Sequence, residues 1–309
     1  MTFGLEPTFL GKKMDTSLAA FGELRVSNDI IGDPAALKAR IEKDGYLFLP
    51  GLLHRSDVLA AREETLRRLH AAGYMDPAYP LTEAIPAAHV VDGFIPQLAK
   101  GNKSLEKIVF QGPMIEFYER FLGGPVRHFD YVWLRAKLPG LADATPPHYD
   151  VLFMGRGTKQ LYTSWTPLED VPRERGGLMI LEGSHRLESV KRTYGALDVD
   201  TYCVNGEEAK SIESGEKQWE DRFNGGKFSH DAVSLSKIFG LRWLTADFRA
   251  GDVLLFGMYL MHASCDNHTR SLRLSCDSRY QLASEPVDER WVGENPPGHG
   301  PAGKRGVIC

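Results

Sequence analysis

The sequence predicts a mainly β fold, a barrel or jelly roll with α-helices on its flank. From Val126 to about residue 285, short runs of strand-forming residues alternate with turn signals, which favours this fold over alternating β-α units. Helical patterns precede that region. The 309 residues, of which 42% are hydrophobic and 25% charged, are typical of a globular protein and suit one large or two small domains with ample material for a core.

The start of the chain combines an arm, a helix and a strand. Residues 1–33 lack periodicity and predict an extended arm or a loosely packed lead-in. Pro34 suits the first turn of a helix, in which Leu37 and Ile41 share one face. The apolar run 45–51 is bounded by glycine and proline and predicts a strand.

Residues 34–125 are expected to wrap the β core with helices and irregular chain. Ser56 is placed to cap the start of a second helix. Between Tyr74 and Gln111, many prolines and glycines predict an irregular segment. A further helix, from about Pro113 to Leu122, is expected to end at Gly123.

Two segments are expected outside the regular strands of the jelly-roll core, residues 126–285. Residues 187–242 interrupt the strand pattern with turn signals, many charges and scattered aromatic residues, Trp219 among them. Long insertions in compact domains often serve as lids, so we expect a partly helical lid that helps to choose the substrate. The tail, residues 286–309, is rich in glycine and proline, and we expect it to be flexible or to reach a neighbouring subunit.

His148 and Asp150 form a His-x-Asp pattern, which can place an imidazole and a carboxylate on one face of a strand. With His262 they provide two nitrogens and one oxygen on one side of a metal, the facial set of non-haem Fe(II) oxygenases. His128 and Asp130 have the same spacing. His-x-Asp is expected roughly 0.6 times by chance in this composition, so the pattern alone does not choose between the two pairs.

A rarer pattern begins at His262, because Arg273 and Ser275 complete the spacing His-x10-Arg-x-Ser. About 0.04 such matches are expected by chance. A guanidinium offers parallel N–H donors to a carboxylate and keeps its charge, so Arg273 and Ser275 form a candidate carboxylate site. The alternative is a core histidine followed by a solvated arginine.

The period of two in a strand extends this candidate site. If Arg273 points inward, Ser275, Asp277 and Arg279 point the same way. Buried charges need partners, so Asp277 and Arg279 either pair with each other or hold a polar substrate. An earlier strand carries Tyr131, Trp133, Arg135 and Lys137 on one face. The candidate substrate contacts are Arg279, Asp277, Tyr131 and Arg135, and their cations indicate a polar or anionic group on the substrate.

Composition argues against several classes of partner. The 37 basic and 41 acidic residues give a net charge of −4 without long like-charge blocks, which disfavours a nucleic-acid surface. No apolar stretch approaches the roughly 20 residues that span a bilayer, and the first residues lack a secretory pattern. We expect a cytoplasmic protein with a small-molecule partner, of open oligomeric state, and with four reduced thiols: Cys203, Cys265, Cys276 and Cys309.

Four blocks follow one another in order: Pro-His-Tyr-Asp at 147–150, Ser-Trp-Thr-Pro-Leu at 164–168, Gly-Gly-Leu-Met-Ile-Leu-Glu-Gly-Ser-His-Arg at 176–186, and Arg-Leu-Ser-Cys-Asp-Ser-Arg-Tyr-Gln at 273–281. Through them, over roughly residues 35–285, the chain resembles the phytanoyl-CoA dioxygenase family of Fe(II)/2-oxoglutarate-dependent oxygenases. The resemblance implies a single oxygenase domain over residues 1–309, with a double-stranded β-helix (jelly roll, cupin-like) core and flanking α-helices. It also makes His128 a strand residue and His148 the ligand.

The resemblance implies Fe(II), 2-oxoglutarate and O2 as reagents, with ascorbate as the reductant in vitro. Iron would be held by the facial set of His148, Asp150 and His262. The far carboxylate of 2-oxoglutarate would lie on Arg273 and Ser275. Trp133 and Trp165 would lie beside it, with core packing as the alternative for both tryptophans.

The implied reaction hydroxylates an unactivated C–H of a small molecule and releases succinate and CO2. Asp150 favours hydroxylation, since halogenating relatives typically lack that carboxylate. Two other classes stay open: a cupin-type metalloenzyme that does not use 2-oxoglutarate, and a non-enzymatic jelly-roll binding protein. The intact facial set and Arg273 argue against the binding protein, whereas only Arg273 and Ser275 argue against the cupin-type enzyme.

Overall fold

The computed structural model describes residues 6–217 and 223–309. Trp219 of the expected lid and residues 1–5 of the expected arm lie outside the described residues. The described helices are α1 (Pro34–Asp44), α2 (Arg55–Ala71), α3 (Lys103–Phe110), α4 (Gly112–Leu122), α5 (Val151–Met154), α6 (Glu188–Arg192), α7 (Ala209–Glu213) and α8 (Ala232–Phe239). The described strands are β1 (Thr8–Phe9), β2 (Lys12–Lys13), β3 (Phe21–Glu23), β4 (Tyr46–Leu49), β5 (Val126–His128), β6 (Trp133–Lys137), β7 (Tyr162–Pro167), β8 (Leu178–Leu181), β9 (Thr201–Cys203), β10 (Trp243–Thr245), β11 (Val253–Gly257), β12 (His262–Ser264), β13 (Arg273–Leu282) and β14 (Arg305–Val307).

The larger sheet has the order β4-β11-β7-β13-β5, and β6 also pairs with β13. The ten-residue strand β13 is its centre, because β7 lies along one edge and β6 and β5 share the other. All pairings in this sheet are antiparallel. Strands that are far apart in the sequence are therefore neighbours in the sheet. This strand order brings distant site residues together.

A smaller sheet, of order β12-β8-β10-β3, packs against the inner face of the larger one. Its residues share buried clusters with residues of the larger sheet, as Ile180 does with Trp165 and Met179 with Trp133. The outer face of the larger sheet packs on helices α1 to α4 in a separate apolar cluster. Two apolar clusters therefore join the sheets, and the helical layer supplies a third on the outer face of the larger sheet.

Local sequence explains where α1 begins and ends. The Asp33 side chain accepts hydrogen bonds from two backbone N–H groups of the first turn, and Pro34 fills a position that needs no donor. Gly45 ends the helix with φ of +83°, a conformation that glycine adopts without strain. Leu37 and Ile41 are buried, so the predicted helix is confirmed, as are the buried strand β4 after it and the end of α4 at Gly123.

Two expectations for the following residues are wrong. The N-cap of α2 is His54 and not Ser56, which lies inside the first turn. The segment from Tyr74 to Gln111 is not irregular throughout, because it contains α3. Asn102 caps that helix by accepting a hydrogen bond from a backbone N–H, and its short length among prolines and glycines hid it from the pattern.

The amino-terminal arm is more closely packed than expected. β1 and β2 pair with each other, and β3 adds to the smaller sheet as a parallel neighbour of β10. Phe21 of β3 is 1% exposed. The insertion at 187–242 is partly helical in its described residues, as predicted, with α6, α7 and α8.

The tail is packed on the domain, which corrects the expectation of a flexible segment or an arm to another subunit. β14 pairs in parallel with β9, so the chain returns to the insertion. The buried Asp200 accepts hydrogen bonds from Arg290, His299 and Lys304 of the tail. The glycines and prolines here form turns that carry the chain over the domain surface.

The return of the tail also corrects the expectation of four reduced thiols. Cys309 reaches Cys203 and forms a disulfide with it. The two cysteines are 106 residues apart in sequence, so no short spacing indicated the pair. Cys265 and Cys276 are free and buried, as small packing residues. Within the described ranges, no helix has the length and apolar character needed to cross a bilayer.

Candidate metal centre and active site

His148 and His262 are brought together by the backbone. Each donates its N–H to the carbonyl of the other, at 3.1 and 3.2 Å, in an isolated antiparallel bridge. Asp150 does not follow in a strand, as the period-two argument expected. It lies in helical conformation at the start of α5, so the chain turns directly after His148 and carries the carboxylate back beside both rings.

The three side chains form the one group among the described residues whose histidine, cysteine or carboxylate atoms could hold a metal ion together, all within 4.8 Å. Asp150 Oδ1 lies 3.7 Å from His148 Nε2 and 3.6 Å from His262 Nε2. In each histidine, Nδ1 lies within 3.0 Å of a backbone carbonyl, of Pro146 or Leu260. Those carbonyls accept a hydrogen bond from Nδ1–H and leave Nε2 as the nitrogen that can face a metal, so the donor set fits a facial Fe(II) site.

Burial and charge keep this group in a metal-binding state. Burial, together with the neighbouring His262, lowers the pKa of His148 to about 3. Burial alone would raise the pKa of Asp150, but the Arg279 guanidinium and the two histidines lower it well below its usual value. Asp150 is therefore an anion and His148 a neutral ligand at neutral pH.

His128, from the rival His-x-Asp pair, lies in β5 away from this group. Its Nδ1 lies 3.0 Å from the Phe129 carbonyl, and its ring stacks on Phe110 with centroids 4.0 Å apart. Asp130 is 3.4 Å from it, without a third ligand. The geometry therefore agrees with His148, and not His128, as the member of the metal group.

The register of β13 confirms the predicted row of inward residues. Arg273 pairs with Lys137, Ser275 with Arg135 and Pro167, and Asp277 with Trp133 and Trp165. The intervening Leu274, Cys276 and Tyr280 belong to the outer apolar cluster. A single face of the larger sheet thus collects the polar residues of three strands, as alternation requires.

Arg273, Ser275 and Trp165 lie together deep on that face. The buried Arg273 donates from Nη1 to the Ser275 hydroxyl, and its guanidinium carbon lies 5.6 Å from the Trp165 ring centroid. Burial lowers the pKa of Arg273 to about 10, and Arg135 adds to this lowering. Arg273 Nε has no hydrogen-bond partner in the described part of the chain. Their contact with a cosubstrate stays a prediction.

Lys137 is a second buried cation beside Arg273. It is 4% exposed, and its Nζ donates to the backbone carbonyl of Asp143. Burial lowers the pKa of Lys137 to about 7, and the charge of Arg273 contributes to the lowering. Alternation placed Lys137 on the inward face, but its position directly opposite Arg273 required the strand register.

The charge pairs differ from those the sequence suggested. Asp277 does not pair with Arg279; it accepts a hydrogen bond from Arg135 at 3.1 Å and does not line the cavity beside His148 and Asp150. Arg279 instead donates to Asp150 Oδ2 at 3.1 Å. Thr163, which sequence reasoning missed, donates to the same oxygen at 2.5 Å. The alternation of residues along β7 indicated only the face on which Thr163 lies. Its contact with Asp150 depends on the pairing of β7 with β13.

A cavity of about 740 Å³ opens beside His148 and Asp150. Tyr131 and Trp133 line it as predicted neighbours, with ring centroids 4.6 Å apart. Trp133 packs against Arg279, whose guanidinium carbon is 3.9 Å from its ring centroid, and in the strand register it lies opposite Asp277, whereas Lys137 lies opposite Arg273. Aromatic side chains form much of the wall: Phe94, Tyr131, Trp133, Phe153 and Trp291.

The tail and the insertion complete this cavity. Trp291 and His299 of the tail line it, and so do Lys227 and His230 of the insertion. The tail residues escaped sequence analysis because a segment rich in glycine and proline was taken to be flexible. The insertion was expected near the substrate, and its described residues do border the cavity.

Comparison with known proteins agrees with this architecture. Among solved structures, the epimerase SnoN from nogalamycin biosynthesis is 23% identical, with a TM-score of 0.54 over 87% of this chain and 96% of that chain. EctD from S. alaskensis is 19% identical, with a TM-score of 0.54 over 98% of this chain and 99% of that chain. Both are similar in fold, and the predicted jelly-roll class with flanking helices is confirmed.

Curated relatives are named as hydroxylases. The 1-deoxypentalenic acid 11-beta-hydroxylase of Streptomyces exfoliatus is 26% identical over 265 residues, 82% of this chain and 83% of that protein. The enzyme of that name from Streptomyces arenae is 26% identical over 277 residues, 85% of this chain and 87% of that protein. The family model described as phytanoyl-CoA dioxygenase (PhyH) matches residues 41–275. The predicted non-haem iron and 2-oxoglutarate-dependent oxygenase is confirmed, and the chain belongs to the phytanoyl-CoA dioxygenase family.

Proposed function

We propose that this protein hydroxylates an unactivated C–H bond of a compact, apolar carboxylic acid. The observation that carries the proposal is the position of the metal-binding group at the wall of an aromatic cavity of about 740 Å³. A cavity of this size and lining suits a small molecule with several fused or linked apolar rings. The relatives named as hydroxylases of 1-deoxypentalenic acid support the acid.

In this proposal His148, Asp150 and His262 hold Fe(II). Bound iron, with 2-oxoglutarate and O2, supplies the oxidising power, and succinate and CO2 are released. The protein fixes the ligands: the carbonyls of Pro146 and Leu260 orient the two imidazoles, and burial keeps bulk water from the carboxylate, which is 2% exposed.

Arg273 and Ser275 bind the far carboxylate of 2-oxoglutarate, with Trp165 packing beside it. Arg273 suits this role because it is buried, has a donor without a partner and carries no acidic neighbour in an ion pair among the described residues. Lys137, its cross-strand neighbour, adds a second positive charge. The far carboxylate of the cosubstrate would bring one negative charge to this pair of basic side chains in a space of low polarity.

Substrate contacts are assigned by what lines the cavity. Tyr131 and Trp133 offer apolar faces, and Arg135 lies over the Phe94 ring at 5.1 Å with its charge neutralised by Asp277. Arg279 keeps Nε and Nη1 without partners among the described residues and also borders the cavity. We therefore keep Tyr131, Arg135 and Arg279 as substrate contacts and withdraw Asp277.

Lys227 is the residue we assign to the substrate carboxylate. It lines the cavity and forms no ion pair with any described residue, unlike Arg135 and Arg279. Replacing Lys227 with methionine should raise KM for an acid substrate about tenfold, the loss expected for one charge-assisted hydrogen bond. KM for the methyl ester of the same acid should not change. Equal effects on acid and ester would contradict this assignment.

The reaction is tested by isotope and binding measurements together. Protein loaded with Fe(II) without oxygen should bind 2-oxoglutarate in a calorimeter, and ¹⁸O2 should then label both succinate and a product heavier by one oxygen atom. A panel of polycyclic carboxylic acids provides candidate substrates. Absence of 2-oxoglutarate binding would favour the cupin-type enzyme or the binding protein. Unlabelled product lacking two hydrogens would show desaturation or ring formation.

We also propose that the protein acts in the cytoplasm, where ferrous iron, 2-oxoglutarate and reductant are available. The Cys203–Cys309 bond argues in the other direction, because reducing compartments keep most thiols free. Cell fractionation with thiol counting tests the proposal. Recovery in a cytoplasmic fraction with reducible cysteines would support it, and recovery outside the cytoplasm with a stable disulfide would overturn it.

A further inference from the structure

The two carboxylate oxygens of Asp150 lie in different surroundings. Oδ1 faces Nε2 of both histidines, at 3.7 and 3.6 Å. Oδ2 faces away from them and accepts two hydrogen bonds, from the Thr163 hydroxyl at 2.5 Å and from Arg279 Nη2 at 3.1 Å. One oxygen is therefore directed at the metal-binding position, and the other is occupied by protein donors.

The two donors come from neighbouring strands and are held firmly. Thr163 of β7 and Arg279 of β13 are paired in register, so both reach the same oxygen from one side. The Arg279 guanidinium carbon also lies over the Trp133 ring, 3.9 Å from the ring centroid. Thr163, Arg279 and Asp150 are 1%, 3% and 2% exposed. Such buried, charge-assisted hydrogen bonds are strong and directional.

We propose that Arg279 and Thr163 are positioning residues that reserve Oδ2, so that Asp150 presents Oδ1 alone to the metal. The inference rests on the proposed function, since it concerns the same iron ligand. A carboxylate bound through one oxygen occupies one coordination position and leaves three positions of an octahedral ion open. Those three are the number that a chelating 2-oxo acid and O2 together require.

The structure gives a reason for two donors in place of one. A carboxylate that lost either donor would regain a free Oδ2 and could rotate to bind the metal through both oxygens. The second donor holds the plane of the carboxylate, as the partners of metal ligands commonly do. This arrangement also explains why Arg279 pairs with a metal ligand although Asp277 lies two residues away on the same face.

Isosteric changes test this role. Thr163→Val removes the hydroxyl and keeps the shape, Thr163→Ser restores the donor, and Arg279→Met removes the charge but keeps most of the volume. Thr166→Val is the matched control, because the Thr166 hydroxyl is buried on the opposite face of β7 without a hydrogen-bond partner among the described residues. Circular dichroism and thermal melting establish that each variant is folded.

The probe is Co(II), titrated into the metal-free protein and followed by its visible absorption, which reports coordination number. We expect Thr163→Val to weaken Co(II) binding about tenfold and Arg279→Met up to about 100-fold, the range for partners of metal ligands. Both variants should change the shape of the spectrum, Thr163→Ser should restore it, and Thr166→Val should match the wild type.

A second readout is the absorption that 2-oxoglutarate induces on the Fe(II) protein without oxygen. Thr163→Val and Arg279→Met should need more 2-oxoglutarate for half saturation. The reason is that an Asp150 carboxylate bound through both oxygens would block one of the metal positions that 2-oxoglutarate needs. If the wild type binds Co(II) and 2-oxoglutarate and the variants match it in both assays, the positioning role is wrong and the proposed function stands. If the wild type binds neither, the proposed function fails and the inference falls with it.

Discussion

Buried charges in the site fall into two groups, those neutralised by protein and those without a counter-ion. Asp150 pairs with Arg279, and Asp277 pairs with Arg135. Arg273 and Lys137 are as deeply buried, but neither forms an ion pair with a described residue. Unpaired buried cations destabilise a fold, so their presence side by side indicates that an anionic ligand completes this part of the site.

Replacing Arg273 should separate cosubstrate binding from metal binding. Arg273→Ala is expected to raise the Kd for 2-oxoglutarate about 10- to 100-fold, the loss of a bidentate charged hydrogen bond, while Co(II) affinity changes little. Calorimetry without oxygen measures both. Arg127→Ala, an exposed arginine of β5, is the control. A wild-type Kd in Arg273→Ala would remove Arg273 from the cosubstrate site.

Lys137 should make 2-oxoglutarate binding depend on pH. Burial lowers its pKa from 10.5 to about 7, so between these values the folded protein holds fewer protons than the unfolded chain. Lys137 therefore adds stability as pH rises through that range, and the addition is lost as pH falls through about 7. An anion bound beside Lys137 favours the charged form, so binding should take up a proton near about pH 8 and weaken as pH rises further.

Calorimetry in buffers of different ionisation enthalpy measures this proton uptake directly. Lys137→Met should abolish the uptake and flatten the dependence of 2-oxoglutarate affinity on pH. If the wild type binds 2-oxoglutarate with no proton uptake between neutral and alkaline pH, Lys137 does not face the cosubstrate.

The strands of the larger sheet show what sequence can and cannot provide about such a site. Alternation along β13 was sufficient to predict that Arg273, Ser275, Asp277 and Arg279 share a face, because the period of two is a property of one strand. The partners of these residues depend on the register between strands, which a single strand does not encode. The pairing of Asp277 with Arg135 was therefore not among the alternatives that the sequence offered, and Thr163 was missed altogether.

The backbone bridge between His148 and His262 also shows a limit of prediction from sequence. Chemistry and spacing made His148 and Asp150 candidates and the family resemblance chose them over His128 and Asp130, but the expected strand geometry for Asp150 was wrong. The convergence comes instead from a backbone pairing and an immediate turn into α5. The sequence indicated which side chains come together, but only the path of the backbone in the structure explains how they do so.

The tail forms part of the cavity wall, and one buried carboxylate anchors it. Asp200 is fully buried and accepts hydrogen bonds from Arg290 at 2.7 Å, His299 at 2.8 Å and Lys304 at 2.9 Å. Asp200→Asn should lower the free energy of unfolding by about 3 kcal/mol, because it breaks a buried ionic cluster. KM for the substrate should rise, whereas the Kd for 2-oxoglutarate should not change.

The control for this change is Asp247→Asn, which alters an exposed acid near Arg173 and should change stability by less than about 1 kcal/mol. Denaturant unfolding and steady-state kinetics measure the two effects. An unchanged substrate KM in a destabilised Asp200→Asn protein would show that the tail supports the fold without shaping the cavity.

A disulfide bond joins the insertion, residues 187–242, to the tail, residues 286–309. The Cys203–Cys309 bond joins residues 106 apart, and such bonds stabilise a fold mainly by restricting the unfolded chain. Cys309→Ser should lower the free energy of unfolding by about 2 to 4 kcal/mol. Reductant should lower the wild type to the same value and leave the variant unchanged. Identical unfolding curves with and without reductant in the wild type would contradict a stabilising link.

The overall fold was the most predictable property of the chain. Strand and turn signals after Val126 and the capping residues of α1 act locally, so they are legible in sequence. The path of residues 286–309 depends instead on ion pairs and a disulfide with a distant insertion. Composition alone indicated mobility there, because turns packed on a domain and a mobile linker use the same residues.

The backbone bridge between His148 and His262 has a consequence for how the protein acquires its ion. Two main-chain hydrogen bonds join the residues, and two backbone carbonyls orient the rings, so the polypeptide itself arranges the two histidines. The entropy of arranging the ligands is already lost when the polypeptide folds. We therefore expect metal binding to require little further ordering of these two residues.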